Sequence, residues 1–255
     1  MEDPTAEADV TDGGPLPAGS FSIWLAGMRR ALDGEAGSDV PCGPCTACCT
    51  SSQFVHIGPD EAETLAHIPT ELLFPAPRLP KGHVLMGYVE NGHCPMLVDG
   101  GCSIYEHRPR TCRTYDCRVF PAAGVEVDGE DQTAIARQAG RWRFDLPDEV
   151  DQVEHDAVRA AAAFVRERED LLPEGSAPAN ATQRAVLAIR LYRACLGQDG
   201  GTDRRVVVDP DPEAVRVILT SRPSHRIEPA ERAGAARPPG GSPSRGGTGG
   251  PIASG

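Results

Sequence analysis

The placement of the cysteines is the feature that most constrains how this 255-residue chain can fold. Eight of its nine cysteines form two groups, one within eight residues and one within 24: Cys42, Cys45, Cys48 and Cys49, then Cys94, Cys102, Cys112 and Cys117. A CxxC turn places two soft thiolates on one ion, so in a reducing compartment this spacing favours metal ligation over disulfides. We therefore expect these eight cysteines to be metal ligands.

The first residues of the chain and its net charge indicate its compartment and exclude two kinds of partner. The first residues are acidic, whereas a secretory signal is basic and then apolar, so we expect the protein to stay in the cytoplasm. Its longest apolar run, Ala160 to Val165, is far below the roughly 20 residues of a membrane-spanning helix. A net charge of -12 disfavours binding to nucleic-acid phosphates. We expect neither a membrane nor a nucleic-acid partner, and the sequence identifies no protein partner.

Composition divides the chain into three parts. Residues 1–19 carry five acidic residues and no basic one, which predicts a disordered acidic leader. Residues 221–255 are rich in Gly and Pro and are predicted to form a disordered tail. Between them, residues 20–220 are predicted to form a single cysteine-cluster domain, with a metal module at 40–120 and a helical part at 146–220.

Local patterns predict an α+β fold in which a loop-rich metal module with a small antiparallel sheet packs against flanking helices. Predicted helices are one capped by Ser20 and apolar through Leu32, and others at 59–68, 148–169, 181–196 and 212–219. Predicted strands are Phe54–Ile57, 141–144 and 204–208, together with a hairpin that pairs 84–89 with 94–98 and a second turn at 99–101.

How the cysteines share metal is open at this level. The vicinal residues Cys48 and Cys49 point in different directions, so they serve either two centres or one centre and a free thiol. Eight thiolates can form two four-cysteine sites. The run from Cys42 to Cys48 is also similar to three corners of a cubane iron–sulfur cluster, although Ser52 stands where a ferredoxin has a further cysteine. Zinc and an iron–sulfur centre both remain open.

Several side chains near the cysteines are secondary candidates. Four arginines, Arg108, Arg110, Arg113 and Arg118, are either charge partners of the thiolates or a solvated face. Three histidines, His56, His93 and His107, are alternative ligands, but eight cysteines already suffice. Tyr105 and Tyr115 could donate to sulfur, and packing is the commoner role of such rings. Cys195 lies in an apolar helical stripe and is predicted to be a core residue.

The cysteine segments resemble a known family. The strings Pro41-Cys-Gly-Pro-Cys-Thr-Ala-Cys-Cys49, Cys94-Pro-Met-Leu, Gly101-Cys-Ser-Ile-Tyr-Glu-His-Arg-Pro109 and Cys112-Arg-Thr-Tyr-Asp-Cys117 resemble the YkgJ-type cysteine-cluster family, whose CxxCxxCC domain chelates zinc or iron. The resemblance covers about residues 40–120. It implies metal binding by the eight cysteines and an iron–sulfur oxidoreductase of undefined substrate.

The flagellin lysine N-methylase carries a similar cluster, so the resemblance extends to methyl transfer, although this chain has no glycine-rich nucleotide loop after a strand. Three hypotheses follow. The first is a protein that chelates zinc or an iron–sulfur centre, with redox chemistry if the centre is iron–sulfur. The second is a non-enzymatic structural zinc module that binds a protein partner. The third is a dithiol redox protein that uses Cys48 and Cys49 with another cysteine.

Overall fold

A computed structural model describes residues 14–35, 37, 38, 40, 42–77, 79–201 and 203–220. The predicted tail, 221–255, and the first 13 residues of the predicted leader lie outside the described residues. The leader prediction is wrong at its end, because Leu16–Ser20 is a strand. That strand is held by pairing with a distant segment, which a composition argument does not detect.

Helices and short strands are both present along the chain, with small antiparallel sheets, which confirms the α+β prediction. The strands are β1 (Leu16–Ser20), β2 (Val55–Ile57), β3 (Leu73–Pro75), β4 (Val84–Met86), β5 (Leu97–Val98), β6 (Gly101–Cys102), β7 (Trp142–Asp145), β8 (Leu196–Gln198) and β9 (Arg205–Val207). The α-helices are α1 (Phe21–Leu32), α2 (Ala62–Ala66), α3 (Arg110–Thr114), α4 (Val119–Ala123), α5 (Thr133–Ala139), α6 (Glu149–Glu167), α7 (Ala181–Leu191) and α8 (Pro212–Thr220). Short 3₁₀ helices connect several of them, and the one at Ala47–Thr50 carries Cys48 and Cys49.

Helices form the larger of two hydrophobic cores, which we call the helical core. It contains one face each of α1, α4, α6 and α7, and the parallel pair β1–β7 lies beside it. Small residues such as Ala157, Ala161, Ala185 and Ala188 are fully buried, which lets α6 and α7 pack closely. Cys195 is also fully buried here, as predicted.

The start of α6 corrects the predicted cap of α1. The apolar Val150 is 49% exposed there, while its acidic neighbour Asp151 is 1% exposed. Asp151 is inside because its Oδ1 accepts hydrogen bonds from the Ser20 hydroxyl and the Ser22 backbone N–H, both at 2.8 Å. The carboxylate of α6 therefore caps α1, and the Ser20 side chain makes no cap bond to its own helix.

The smaller core, which we call the sheet core, lies under a three-stranded antiparallel sheet of order β2-β4-β3. Its buried members are Val55, Ile57, Ile68, Met86, Met96 and Ile104. Three cysteines pack against it from the side: Cys94, Cys102 and Cys112.

The predicted hairpin between 84–89 and 94–98 does not form. Its turn is present, since the Val89 N–H donates to the His93 carbonyl at 2.9 Å. Beyond the turn, however, the Cys94 N–H donates to the Cys49 carbonyl at 2.7 Å. The start of the predicted second strand, 94–98, therefore contacts the first cysteine segment and does not pair with residues 84–89. β4 pairs with β2 and β3 instead, and β5 forms a separate hairpin with β6 around the predicted second turn.

In the described part of the chain, no helix combines the length and apolar character needed to cross a membrane.

Candidate metal centres

All nine cysteines lie within the described residues and are free thiols. Four of them form what we call the first thiol group: Cys42, Cys45, Cys48 and Cys117. The chain turns back between the first two, because the Cys45 N–H donates to the Cys42 carbonyl at 3.0 Å. Cys117 comes from far along the chain and is buried in the helical core. Its thiol is close enough to those of Cys42 and Cys45 for their charges to raise its pKa.

The other four cysteines form the second thiol group: Cys49, Cys94, Cys102 and Cys112. Backbone hydrogen bonds hold three of them together. The Cys94 N–H donates to the Cys49 carbonyl, and Leu97, three residues after Cys94, pairs with Cys102 in the β5–β6 hairpin. Cys112 joins from α3, and its pKa is raised by the charges of the other three. This group lies against the sheet core.

The thiols of the vicinal pair have different main neighbours. After burial, Cys117 and Cys42 raise the pKa of Cys48 most, whereas Cys94 and Cys102 raise that of Cys49 most. Cys49 also acts on Cys48, and Cys45 acts on both. The main neighbours of the two thiols thus differ, as two centres would require. The 3₁₀ helix at Ala47–Thr50 is the backbone that both groups share.

Burial makes the thiols weak acids in the metal-free protein. It raises the pKa of Cys49 to about 11 and those of Cys112 and Cys117 to about 12, with neighbouring thiols adding to the effect. Although Cys48 is exposed as a residue, burial around its thiol and the adjacent thiols raise its pKa as well. A bound cation would reverse this balance by stabilising the thiolates.

Nearby N–H groups act on two of the sulfurs. Burial raises the pKa of Cys94, and the backbone N–H groups of Met96 and Leu97 oppose that rise, while the Leu97 N–H donates to the Cys94 carbonyl at 3.0 Å. The Trp142 indole N–H donates to the Cys117 sulfur at 3.2 Å. Such donors stabilise thiolates and orient metal ligands. Sequence reasoning missed Trp142 as a donor, because β7 reaches Cys117 through tertiary packing.

A buried carboxylate, also missed from the sequence, supports the first group. Asp116 is 2% exposed and accepts hydrogen bonds from the Trp24 indole at 2.9 Å, the Ser38 hydroxyl at 3.0 Å and the Arg118 guanidinium at 2.8 Å. Because it immediately precedes Cys117, this network ties that thiol to α1. The sequence around Asp116 contains no pattern that predicts its burial, because its hydrogen-bond partners Trp24 and Ser38 are distant in the chain.

The four candidate arginines have different roles. Burial raises the pKa of Cys42, Cys49 and Cys112, and the Arg108 charge opposes part of that rise in both groups. Its guanidinium lies 3.5 Å from the centre of the Tyr105 ring, and its Nε donates to the Tyr105 carbonyl. The Arg118 charge likewise opposes the raised pKa of Cys42.

The remaining arginines face acidic residues. Arg110 forms an ion pair with Asp60, and Arg113 lines a polar pocket that includes Asp60 and Glu106. Two of the four arginines are therefore charge partners of the thiols, and the other two belong to a charged surface.

The candidate histidines have other partners. His56 Nε2 lies 2.9 Å from His83 Nδ1, and His107 Nδ1 lies 3.2 Å from a Glu63 carboxylate oxygen. The His93 backbone N–H donates to Asn91 Oδ1. These contacts do not add a histidine to either thiol group.

The donor set fits a thiolate-bound metal, although the side chains are not at bonding distance. Within the described residues, no set of three or more His, Cys, Asp or Glu side chains has the geometry of a finished metal site. Electrostatic interactions reach further than a zinc–sulfur bond of about 2.3 Å, so thiols can be grouped without such geometry. Four sulfurs per group is a composition used by structural zinc and by iron–sulfur clusters.

These features define a class: an α+β domain with clustered thiols beside two hydrophobic cores. Residues 41–138 match the family model described as "CxxCxxCC: Putative zinc- or iron-chelating domain". This segment is therefore similar to the cysteine-cluster family that the sequence resemblance indicated. The match extends past Cys117, the last of the eight clustered cysteines, through most of α5. Neither a curated protein nor a solved structure matches the chain.

Proposed function

We propose that residues 41–138 chelate two metal centres, one in each thiol group. The proposal is supported by the backbone contacts that bring Cys45 beside Cys42 and Cys94 beside Cys49, and by the different main neighbours of the Cys48 and Cys49 thiols. The family's description supports metal chelation in general. The grouping adds a specific ligand set for each centre, with four sulfur donors and no histidine.

The structural role of these centres is to join segments that have little regular structure of their own. The first group links residues 42–48 to the helical core through Cys117, and the second links Cys49 to the sheet core. Metal-binding free energy then becomes folding free energy. With zinc, each four-thiolate site would be closed and would carry a formal charge of -2, which Arg108 and Arg118 offset in part.

A second candidate function is electron transfer by an iron–sulfur centre. The hydrogen bond from the Trp142 indole to the Cys117 sulfur favours it, since such bonds and nearby charges set the reduction potential of a cluster. The dithiol hypothesis is less well supported, because Cys48 and Cys49 face different groups. Free thiols are consistent with a reducing compartment such as the cytoplasm, which we retain as part of the proposal.

The test is the metal and acid-labile sulfide content of the full chain, purified without oxygen. Zinc near two per chain without sulfide supports two structural centres, whereas iron with sulfide supports the redox function. Cys195→Ala is a matched control, because Cys195 is a thiol buried in the helical core, apart from both groups. Its metal content should equal that of the wild type. A wild-type chain that binds no metal would contradict the proposal.

A further inference from the structure

Trp142 points its indole N–H at the Cys117 sulfur. The two atoms are 3.2 Å apart, and the residues are only 2% and 6% exposed, so solvent does not compete for either group. The strong acceptors for a buried indole N–H are oxygens, whereas a cysteine sulfur is a weak one. The indole is therefore paired with a proposed metal ligand although stronger acceptors exist in proteins.

The fold holds this indole from two directions. Trp142 is the first residue of β7 and is the partner of Leu16 in β1, and the Leu16 N–H donates to the Arg141 carbonyl at 2.8 Å. The Arg118 guanidinium lies 5.8 Å from the centre of the Trp142 ring and forms an ion pair with Asp116. An indole has only two side-chain torsions, so on a paired strand its N–H has few possible positions. The β1–β7 pair and Arg118 therefore place the donor.

Both tryptophans of the chain lie outside the segment that matches the cysteine-cluster family. That segment is 41–138, whereas Trp24 precedes it and Trp142 follows it. Trp24 donates its indole N–H to Asp116 Oδ2 at 2.9 Å, and Trp142 donates to the next residue, Cys117. Two consecutive residues are thus held by indoles that the helical core supplies from outside the matched segment.

We infer that Trp142 is a positioning residue of the first centre, whose indole N–H fixes the Cys117 sulfur before metal binds and keeps this hydrogen bond when metal is bound. This inference rests on the proposed function. The other three members of the first thiol group share one short segment, 42–48, so Cys117 is the ligand that decides where this segment meets the helical core. A donor to a ligating atom orients that atom and raises metal affinity.

The test replaces Trp142 in the full chain by 3-benzothienylalanine, which keeps the shape of the indole and exchanges its N–H for a sulfur atom. Zinc affinity is measured by competition with a chromophoric chelator. One of the two sites should weaken by about tenfold or more, as for the loss of other hydrogen bonds to metal ligands. The other site should keep its affinity, because the lost hydrogen bond reaches only Cys117.

Ile189→Val is the matched control, because Ile189 is fully buried in the helical core and its side chain has no hydrogen-bonding group. It removes one methylene from the same core and should leave both zinc affinities unchanged. A loss of affinity that came from repacking of the core would appear in this variant as well.

Cadmium-113 supplies a spectroscopic readout in the unaltered chain, which does not depend on the folding of any variant of Trp142. In protein whose two sites hold this isotope, the Trp142 indole proton should show a scalar coupling to one cadmium signal through the N–H···S hydrogen bond. That signal should be the one that Cys45→Ser removes. A ring that only packs beside the sulfur produces no such coupling.

Four outcomes would overturn the inference. Two concern affinity in the benzothienylalanine variant: no change at either site, or an equal loss at both. The other two concern cadmium: no coupling to the indole proton, or coupling to the signal that Cys45→Ser retains. A wild-type chain that binds fewer than two zinc ions would instead refute the proposed function, and the two failures are thus distinguishable.

Discussion

The first and second thiol groups each contain four cysteine sulfurs, but they depend on different parts of the folded structure. In the first, Cys42, Cys45 and Cys48 lie within seven residues, so their loops close at little entropic cost. In the second, Cys49 must meet Cys94 across some 45 residues, and Cys112 arrives from a helix. The first group is local except for Cys117, which meets Cys48 across some 69 residues and comes from the helical core, whereas the second group exists only when the sheet core has assembled.

The hydrophobic cores beside the two thiol groups differ in size. The helical core beside the first group is large and contains faces of four helices, whereas the sheet core beside the second has six buried hydrophobic residues. A small core contributes little stability on its own. The comparison teaches that identical donor sets need not be equivalent: we expect the second centre to stabilise the fold more than the first.

The largest effect should come from Cys112→Ser, which removes a ligand of the second centre. We expect the zinc-loaded protein to lose on the order of 5 kcal/mol of unfolding free energy, because metal binding there is coupled to folding of the sheet core. Cys45→Ser should cost less, since the helical core persists. Chemical denaturation of both variants measures the difference, and equal losses would break the comparison between the two groups.

Asp116→Asn should have the next largest effect and should act on the first group. It removes one charge of a buried ion pair and leaves the Arg118 guanidinium without its carboxylate partner, which costs about 3–5 kcal/mol in comparable cases. Zinc titration of the variant should show weakened binding at one site and intact binding at the other. Weakening of the second site instead would contradict the assignment of Asp116 to the first group.

A smaller effect is expected from Asp151→Ala, which tests the helical core apart from both centres. Loss of the cap on α1 should cost about 1–2 kcal/mol at neutral pH, with unchanged metal content. Burial raises the pKa of Asp151, but the hydrogen bonds from Ser22 and Ser20 outweigh it and leave the pKa below its usual value.

The direction of this pKa shift fixes the pH dependence. A carboxyl with a lowered pKa stabilises the fold above its unfolded value of about 3.9, and this stability is lost as the pH falls through the folded pKa. Denaturation curves of the variant and the wild type should therefore converge in acid. A difference that is constant with pH would show that the carboxylate charge does not contribute.

The smallest effect should come from Arg108→Gln. Arg108 acts on thiols of both groups, so both zinc affinities should fall by a few-fold, corresponding to about 0.5–1 kcal/mol for a partly exposed charge. Arg110→Gln is the control, because Arg110 pairs with Asp60 and should leave both affinities unchanged. A loss confined to one site would assign Arg108 to that group alone.

The sequence predicted those features that short-range patterns determine. α1 and α7 follow from apolar periodicity, and the side chain of Asn180 caps α7 as expected. The predicted end of α7 was wrong, because the α-helix stops at Leu191 and Leu196 lies in β8. The separation of Cys48 from Cys49 follows from their adjacency in the chain. These predictions needed no knowledge of distant segments.

Features that depend on tertiary contacts were missed. The 84–98 hairpin was wrong because Cys49 binds the backbone at Cys94, and a strand pattern does not reveal a competing partner. Asp116 gave no local signal of its role, because Trp24 reaches it from a helix more than 90 residues away. The final division of the thiols depends on the same kind of contact, which the spacing of the cysteines does not encode.

The most direct test of the account is the number of metal centres per chain in the wild type, Cys45→Ser and Cys112→Ser, purified without oxygen and analysed for zinc, iron and sulfide. The account predicts two centres in the wild type and one in each variant, with the remaining centre spectroscopically distinct in the two variants. A single centre in the wild type, or the loss of all metal in both variants, would contradict the assignment of the eight thiols to two separate sites.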